Sequence, residues 1–178
     1  PADTPRNPAV LEAVRQRVQP ALQEALAAAR AGDATQALDA MARIRVLCAH
    51  REGPFGVSEW NRIGEGWMLG GDGPENFWYP GRPLLITRND RRLGLANGDT
   101  GVVVAGAQGA TKVAFHTADG VTLIDPVQLE SFETAFAMTI HKSQGSEYGT
   151  VVAIIPPATS PLADRKSTRL NSSHVALS

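Results

Sequence analysis

The spacing of apolar residues changes near residue 80, and this change limits the folds open to the chain. Residues 9–31 carry apolar side chains at helical spacing and are followed by Gly32, so they predict a helix. Asp33 can cap a second helix that runs to about Arg43. Beyond residue 80, short β-prone runs alternate with turns. We therefore expect an α/β protein with a helical N-terminal segment and a strand-rich later part.

The segment between these two parts predicts one buried strand and one short helix. Residues 44–49 (IRVLCA) are short, apolar and β-prone, as in a strand buried on both faces. A loop over residues 50–57 follows, and Ser58 is expected to cap a short helix. Residues 64–76 contain five glycines and predict a mobile loop.

Residues 81–130 predict a small β module. Its four apolar runs are short and separated by turns such as Asn97-Gly98-Asp99, and no helical spacing occurs among them. Several short strands within about 50 residues favour an antiparallel barrel. We expect this module to be inserted between two parts of an α/β domain, residues 1–80 and 131–163. The predicted strands lie at 84–87, 100–104, 112–115 and 121–124.

Residues 139–147 (TIHKSQGSE) are the most informative polar segment, because they lie between two apolar runs. Thr139 can cap a short helix and Gly145 can end it, which predicts a strand, a polar turn and another strand. The amide groups at the start of such a turn, next to His141 and Lys142, suit the phosphates of a nucleotide or a nucleic acid.

Composition excludes several classes of protein. The net charge of −1 gives no overall attraction to nucleic acid, so DNA binding must come from a local arrangement. The single cysteine, Cys48, excludes an internal disulfide and a cysteine-based zinc site. We expect no metal site, no membrane span and a cytoplasmic protein. The local cationic candidates are Arg82, Arg88, Arg91, Arg92, His141 and Lys142.

Two further segments leave alternatives open. His50 and Arg51 follow a predicted strand, where α/β proteins bind ligands, but such a pair can also be merely solvated. Residues 164–178 are rich in Ser, Asn and Arg without periodicity, and they resemble translated sequencing-adapter sequence. We expect this tail to be non-native, with a natural disordered tail as the alternative.

Three collinear stretches resemble superfamily 1 DNA helicases of the RecD type, the alpha subunit of exodeoxyribonuclease V. The first is residues 45–57 followed by Asn61, the second begins with WYPGRP at 78–83, and the third is AMTIHKSQGSE at 137–147. The resemblance covers roughly residues 44–156. It implies a C-terminal fragment of such an enzyme, with part of the second RecA-like motor domain interrupted by a small SH3-like barrel.

The resemblance also implies roles for single residues of the polar segment. Thr139 and His141 match positions that face the backbone of single-stranded DNA, and Lys142 and Ser143 lie beside them. Gly145 and Glu147 match positions near the nucleotide, whereas Gln144 can bond to either ligand. From the residues alone, His141 can be satisfied locally, and Lys142 and Glu147 can be simple surface charges.

The resemblance implies that the fragment contributes single-stranded DNA and nucleotide contacts to ATP-driven 5′-to-3′ DNA unwinding during double-strand break repair. The implied partners are RecB-like and RecC-like subunits. The sequence has no G-x-x-x-x-G-K-[ST] motif, so ATP and Mg²⁺ would be bound mainly by a domain absent from this chain. The fragment is therefore expected to be inactive as an ATPase. The alternatives are a non-catalytic single-stranded DNA-binding module and the helicase part of a conjugative relaxase.

Overall fold

The computed structural model describes residues 7–71, 74, 76–143, 149–155 and 174–177. It has a mixed α/β fold, as predicted, with one parallel and one antiparallel sheet. In chain order its elements are α1 (Pro8–Ala31), α2 (Ala34–Ala42), β1 (Ile44–Cys48), α3 (Val57–Leu69), β2 (Pro83–Ile86), β3 (Thr100–Ala105), β4 (Thr111–Thr117), β5 (Gly120–Ile124), β6 (Phe132–Thr134), β7 (Ala137–Thr139), β8 (Thr150–Ile154) and β9 (His174–Leu177).

The first two helices begin and end where the sequence predicts. The Asn7 side chain accepts a hydrogen bond from the Ala9 amide at the start of α1, which continues through its internal proline. Gly32 ends α1 with a φ of 76°, the left-handed conformation that glycine adopts without strain. Asp33 then caps α2 by accepting from the Gln36 amide at 3.0 Å.

The parallel sheet has the strand order β7-β1-β8-β9, so β1 lies between β7 and β8. Every residue of β1 is buried, including the charged Arg45. Cys48 is paired with Thr139 of β7 and with Ile154 of β8, so the carboxyl ends of these three strands lie at one edge. In α/β proteins this edge is where ligands bind.

The antiparallel sheet has the order β5-β4-β3-β2-β6 and contains all four strands predicted within residues 81–130. Its two faces pack against different groups. Val102, Val104 and Ala114 join the core formed with α1, α2 and β1. Val103, Val113 and Phe115 point to the other face, into a second core. Alternation along β3 and β4 therefore lets the sheet share a core with the helices.

The helix α3 differs from its prediction at both ends. Gly56 is its N-cap, whereas Ser58 lies inside the first turn, where its hydroxyl bonds to the Arg51 carbonyl and the Glu52 carboxylate. The helix continues to Leu69, through the first six residues of the segment 64–76 that was predicted to be a loop. Tertiary packing overrides the glycines there, because Phe136 lies against Gly64 and Met68 is buried in the core shared with α1 and β1.

Alanine substitution is expected to have opposite effects at two glycines of α3. A Cβ at Gly64 would lie 2.7 Å from Phe136 Cβ, whereas a Cβ at Gly66 would meet nothing within 4 Å. We expect Gly64→Ala to destabilise the fold by about 1–3 kcal/mol through overpacking. Gly66→Ala should stabilise it by roughly 0.5–1 kcal/mol through helix propensity. Guanidinium unfolding of both variants checks the signs, and two shifts of equal sign would contradict this packing.

The buried Cys48 offers a chemical test of the parallel sheet. Its side chain is fully enclosed in β1, and burial raises the pKa of its thiol to about 12. Because only the thiolate reacts readily, we expect no labelling by iodoacetamide at pH 8 in the folded protein and rapid labelling after unfolding. Fast labelling of the folded protein would show that β1 is not central.

The described residues near the end of the chain form one strand. The backbone of β9 pairs in parallel with β8, within the segment expected to be a tail. This pairing does not test whether that segment is native, so the expectation stays a prediction. Among the described residues, no helix is long and apolar enough to cross a membrane.

Candidate nucleic-acid interface

The candidate site is the turn that follows β7 at the carboxyl edge of the parallel sheet. Thr139 is the last residue of β7 and is partly buried, and residues 140–143 form a single 3₁₀ turn directly after it. His141 lies in this turn and is exposed. The strand and polar turn expected from the sequence are therefore present, with the imidazole available to a ligand.

The other predicted site residues lie partly or wholly outside the described structure. The backbone of Lys142 and Ser143 belongs to the 3₁₀ turn, but their side chains are outside the described residues. Gln144, Gly145 and Glu147 lie outside them entirely. The nucleotide-binding role of these three residues stays a prediction.

The loop after β1 lies at the same edge as the turn after β7. Its Arg51 forms a 2.8 Å ion pair with Glu133 of β6, although the arginine side chain is 64% exposed. His50 is partly buried, and its carbonyl accepts a hydrogen bond from the Val57 amide at the start of α3. Neither sequence interpretation of this pair included that ion pair, which ties Arg51 to β6 of the antiparallel sheet.

The β6–β7 connection, counted here from the last residue of β6 to the first residue of β7 (residues 134–137), is held by a side chain to which the sequence assigned no role. The Asn61 amide donates to the Thr134 carbonyl at 2.9 Å and accepts from the Ala137 amide at 2.8 Å. Arg45, which is 3% exposed, donates to the Ala135 carbonyl at 3.3 Å. The only sequence signal for Asn61 was its place in the first resembling stretch.

Arg82 is buried against protein groups, which corrects its place among the surface cationic candidates. It is 8% exposed, donates to the Phe77 carbonyl at 2.9 Å and also bonds to the Thr134 hydroxyl. Its guanidinium lies 3.7 Å from the centre of the Phe77 ring, a cation–π contact. Burial lowers the pKa of this guanidinium, and Arg82 is a structural residue of the β6–β7 connection.

The remaining arginine candidates lie around one pocket on the antiparallel sheet. Arg88, Arg91 and Arg92 are exposed and line a cavity of about 300 Å³. Arg92 is paired with Asp90 at 3.4 Å and lies 3.7 Å from Glu130, so its charge is partly balanced. These arginines lie in the connection between β2 and β3 of the antiparallel sheet, whereas the Thr139 turn follows a strand of the parallel sheet.

The described residues at the candidate site supply donors for phosphate oxygens rather than a cluster of metal ligands. Among them, no group of three His, Cys, Asp or Glu side chains is arranged to hold a metal ion. The whole sequence also lacks a phosphate-cradling glycine-rich loop ending in Lys and Ser or Thr. What the edge can supply is a hydroxyl, an imidazole and turn amides, all donors to phosphate oxygens.

Comparison with known proteins gives consistent matches. The family model described as the UvrD-like helicase C-terminal domain matches residues 134–170. The RecBCD enzyme subunit RecD of Mycobacterium tuberculosis is 45% identical over 141 residues, which cover 78% of this chain and 24% of that protein. The ATP-dependent RecD2 DNA helicase of Deinococcus radiodurans is 29% identical over 126 residues, 68% of this chain and 17% of that protein.

These matches cover only part of each relative. The chain spans about a quarter of the length of the mycobacterial RecD subunits that it matches. Among solved structures, Bacteroides Pif1 bound to ssDNA overlaps 75% of this chain and 42% of its own chain. Its TM-score of 0.38 and 16% identity are too low to indicate a shared overall fold.

Proposed function

We propose a function from one premise, which is that this chain belongs to the RecD-like superfamily 1 helicases. The chain is the DNA-contacting part of a 5′-to-3′ DNA helicase that uses ATP in the repair of double-strand breaks. The names of its relatives, RecBCD enzyme subunit RecD and ATP-dependent RecD2 DNA helicase, support DNA as the substrate and ATP as the cofactor. A role on chromosomal DNA agrees with the predicted cytoplasmic location.

The proposed architecture follows from the family. The parallel sheet is part of the second RecA-like motor domain, and residues 81–130 are an inserted SH3-like barrel. The antiparallel sheet β5-β4-β3-β2-β6 supports a β module at this position. Mg²⁺ and most contacts to ATP belong to the part of the enzyme that carries the P-loop. RecB-like and RecC-like subunits are the proposed protein partners, as the name of the mycobacterial relative suggests.

The observation that carries the DNA-binding proposal is the exposed His141 in the turn directly after β7. In this proposal Thr139, His141, Lys142 and Ser143 donate to phosphates of single-stranded DNA. Gln144, Gly145 and Glu147 approach the nucleotide. Phosphate contacts of this kind bind without reading base sequence, as a translocating enzyme requires.

We expect His141→Ala to weaken the binding of single-stranded DNA by roughly ten-fold, since a hydrogen bond to a charged group contributes about 1.5 kcal/mol or more. Fluorescence anisotropy with labelled oligo(dT) at low salt measures this change, because phosphate contacts weaken as salt rises.

The matched control is His116→Ala. His116 is also an exposed histidine, but it lies on β4, 3.4 Å from Asp39 of α2 and away from the Thr139 turn. This variant should bind oligo(dT) as the unmodified chain does. Equal affinity of both histidine variants and the unmodified chain would refute the DNA role of the turn.

A further inference from the structure

Three polar side chains from three separate elements converge on the four-residue β6–β7 connection. Arg45 comes from β1, Asn61 from α3, and Arg82 from the residue before β2. They bond to the Ala135 carbonyl, to the Thr134 carbonyl and Ala137 amide, and to the Thr134 hydroxyl, respectively. The connection is therefore held on several sides, and by polar contacts rather than by packing alone.

Asn61 is the member of this set that reaches both ends of the connection. Its amide nitrogen bonds on the β6 side and its amide oxygen on the β7 side, at 2.9 and 2.8 Å. Asparagine alone among short side chains supplies one donor and one acceptor in a fixed plane. The Ala135 amide is bound separately by the Pro83 carbonyl at 3.0 Å, so successive backbone groups of the connection are satisfied.

The β7 strand needs such support because it is short and lies at the edge. It has three residues, and among the described strands it pairs only with β1. Its first residue, Ala137, is fixed by Asn61, and its last residue, Thr139, opens the candidate turn. Two residues of extended backbone span roughly 7 Å, so a shift of Ala137 would also shift the turn.

We propose that Asn61 is the positioning residue for the DNA-contacting turn, because it sets the position of β7 relative to β6. This inference rests on the proposed function, in which the Thr139 turn contacts single-stranded DNA. The two buried guanidiniums support it. Burying each guanidinium costs desolvation free energy, and both donate hydrogen bonds to this one connection, where they help to hold its geometry.

Two substitutions separate positioning from general stability. Asn61→Leu removes both bonds, whereas Asn61→Asp keeps an acceptor for the Ala137 amide and replaces the donor to Thr134 with a second acceptor oxygen, which the Thr134 carbonyl repels. We expect Asn61→Leu to speed hydrogen exchange at the Ala137 amide and to weaken oligo(dT) binding by about ten-fold, the equivalent of about 1.4 kcal/mol. Asn61→Asp should keep the Ala137 amide protected and should keep most of the affinity, even where its melting temperature falls.

A control for side-chain amides is Gln23→Leu. Gln23 bonds from α1 to the Trp67 and Met68 carbonyls of α3, away from the connection, so its loss should leave the affinity unchanged. Affinity that follows melting temperature across all three variants, rather than protection of Ala137, would overturn the positioning role. If Asn61→Leu does not fold, Asn61→Asp decides alone, since retained protection with lost affinity also overturns it.

The failure of this inference is distinguishable from failure of the proposed function. If Asn61→Leu exposes Ala137 without loss of affinity while His141→Ala still weakens binding, the turn binds DNA and Asn61 does not position it. If His141→Ala also binds normally, the proposed DNA contact itself is wrong.

Discussion

Replacing Phe115 with alanine is expected to destabilise the protein by about 3–5 kcal/mol, as is typical of a fully buried aromatic residue. Phe115 is 0% exposed and belongs to the second core, on the face of the antiparallel sheet that also carries Val103 and Val113. It lies directly across from Gly101, where a Cβ would come within 2.5 Å of the ring. Since no side chain at Gly101 can move into the space, the cavity should remain open.

Guanidinium unfolding followed by tryptophan fluorescence measures this loss. The matched control is Leu123→Ala on the adjacent strand β5, where the leucine is 54% exposed and its truncation should change stability by no more than about 0.5 kcal/mol. A Phe115→Ala protein as stable as the Leu123→Ala protein would show that the antiparallel sheet does not have this core.

The purified chain is expected to show no DNA-stimulated ATP hydrolysis. Phosphoryl transfer in P-loop motors needs a lysine-bearing loop and a held Mg²⁺ to balance charge in the transition state. The sequence has no such loop, and the described residues include no cluster suited to a metal ion. We therefore expect ATP hydrolysis to be absent rather than reduced, although DNA binding should remain.

A phosphate-release assay with oligo(dT), ATP and Mg²⁺ measures the rate. The expected rate equals that of buffer with the same additions, and an intact RecD2-type helicase serves as the positive control. DNA-stimulated turnover that copurifies with the chain and changes when His141 is substituted would refute the expectation.

Local signals predicted much of the fold. Helical spacing, Gly32 and Asp33 predicted α1 and α2, because these two residues act on backbone groups a few residues away. Short apolar runs and glycine turns gave β1 and the strands of residues 81–130 for the same reason. The neighbours of each face of β3 and β4 could not be predicted, because Val102, Val103 and Val104 are all apolar and show no alternation.

The errors and omissions arose from distant contacts. The glycines of α3 predicted a loop. Gly64 instead leaves room for Phe136, a residue 72 positions later in the sequence. Arg82 looked like a surface cation because nothing near it in sequence reveals the Thr134 hydroxyl. The strand β6 is only three residues long and has no periodicity to detect.

The candidate site was predicted in part. The polar segment after an apolar run indicated a turn at Thr139, and the structure has that turn with His141 exposed. The support for the turn could not be predicted, because Asn61 lies in a helix far upstream and its two partners are backbone groups without a sequence signature. Side-chain identity alone carries no information on such contacts.

Photochemical cross-linking tests the central claim most directly, since it locates the DNA on the chain. Oligo(dT) carrying 5-iodouracil is irradiated with the purified protein, and the modified residues are identified by mass spectrometry. The account predicts adducts within residues 139–147, with His141 among them, and their loss in competition with unlabelled single-stranded DNA. Adducts confined to the arginines around residues 88–92, or competed equally by duplex DNA, would contradict it.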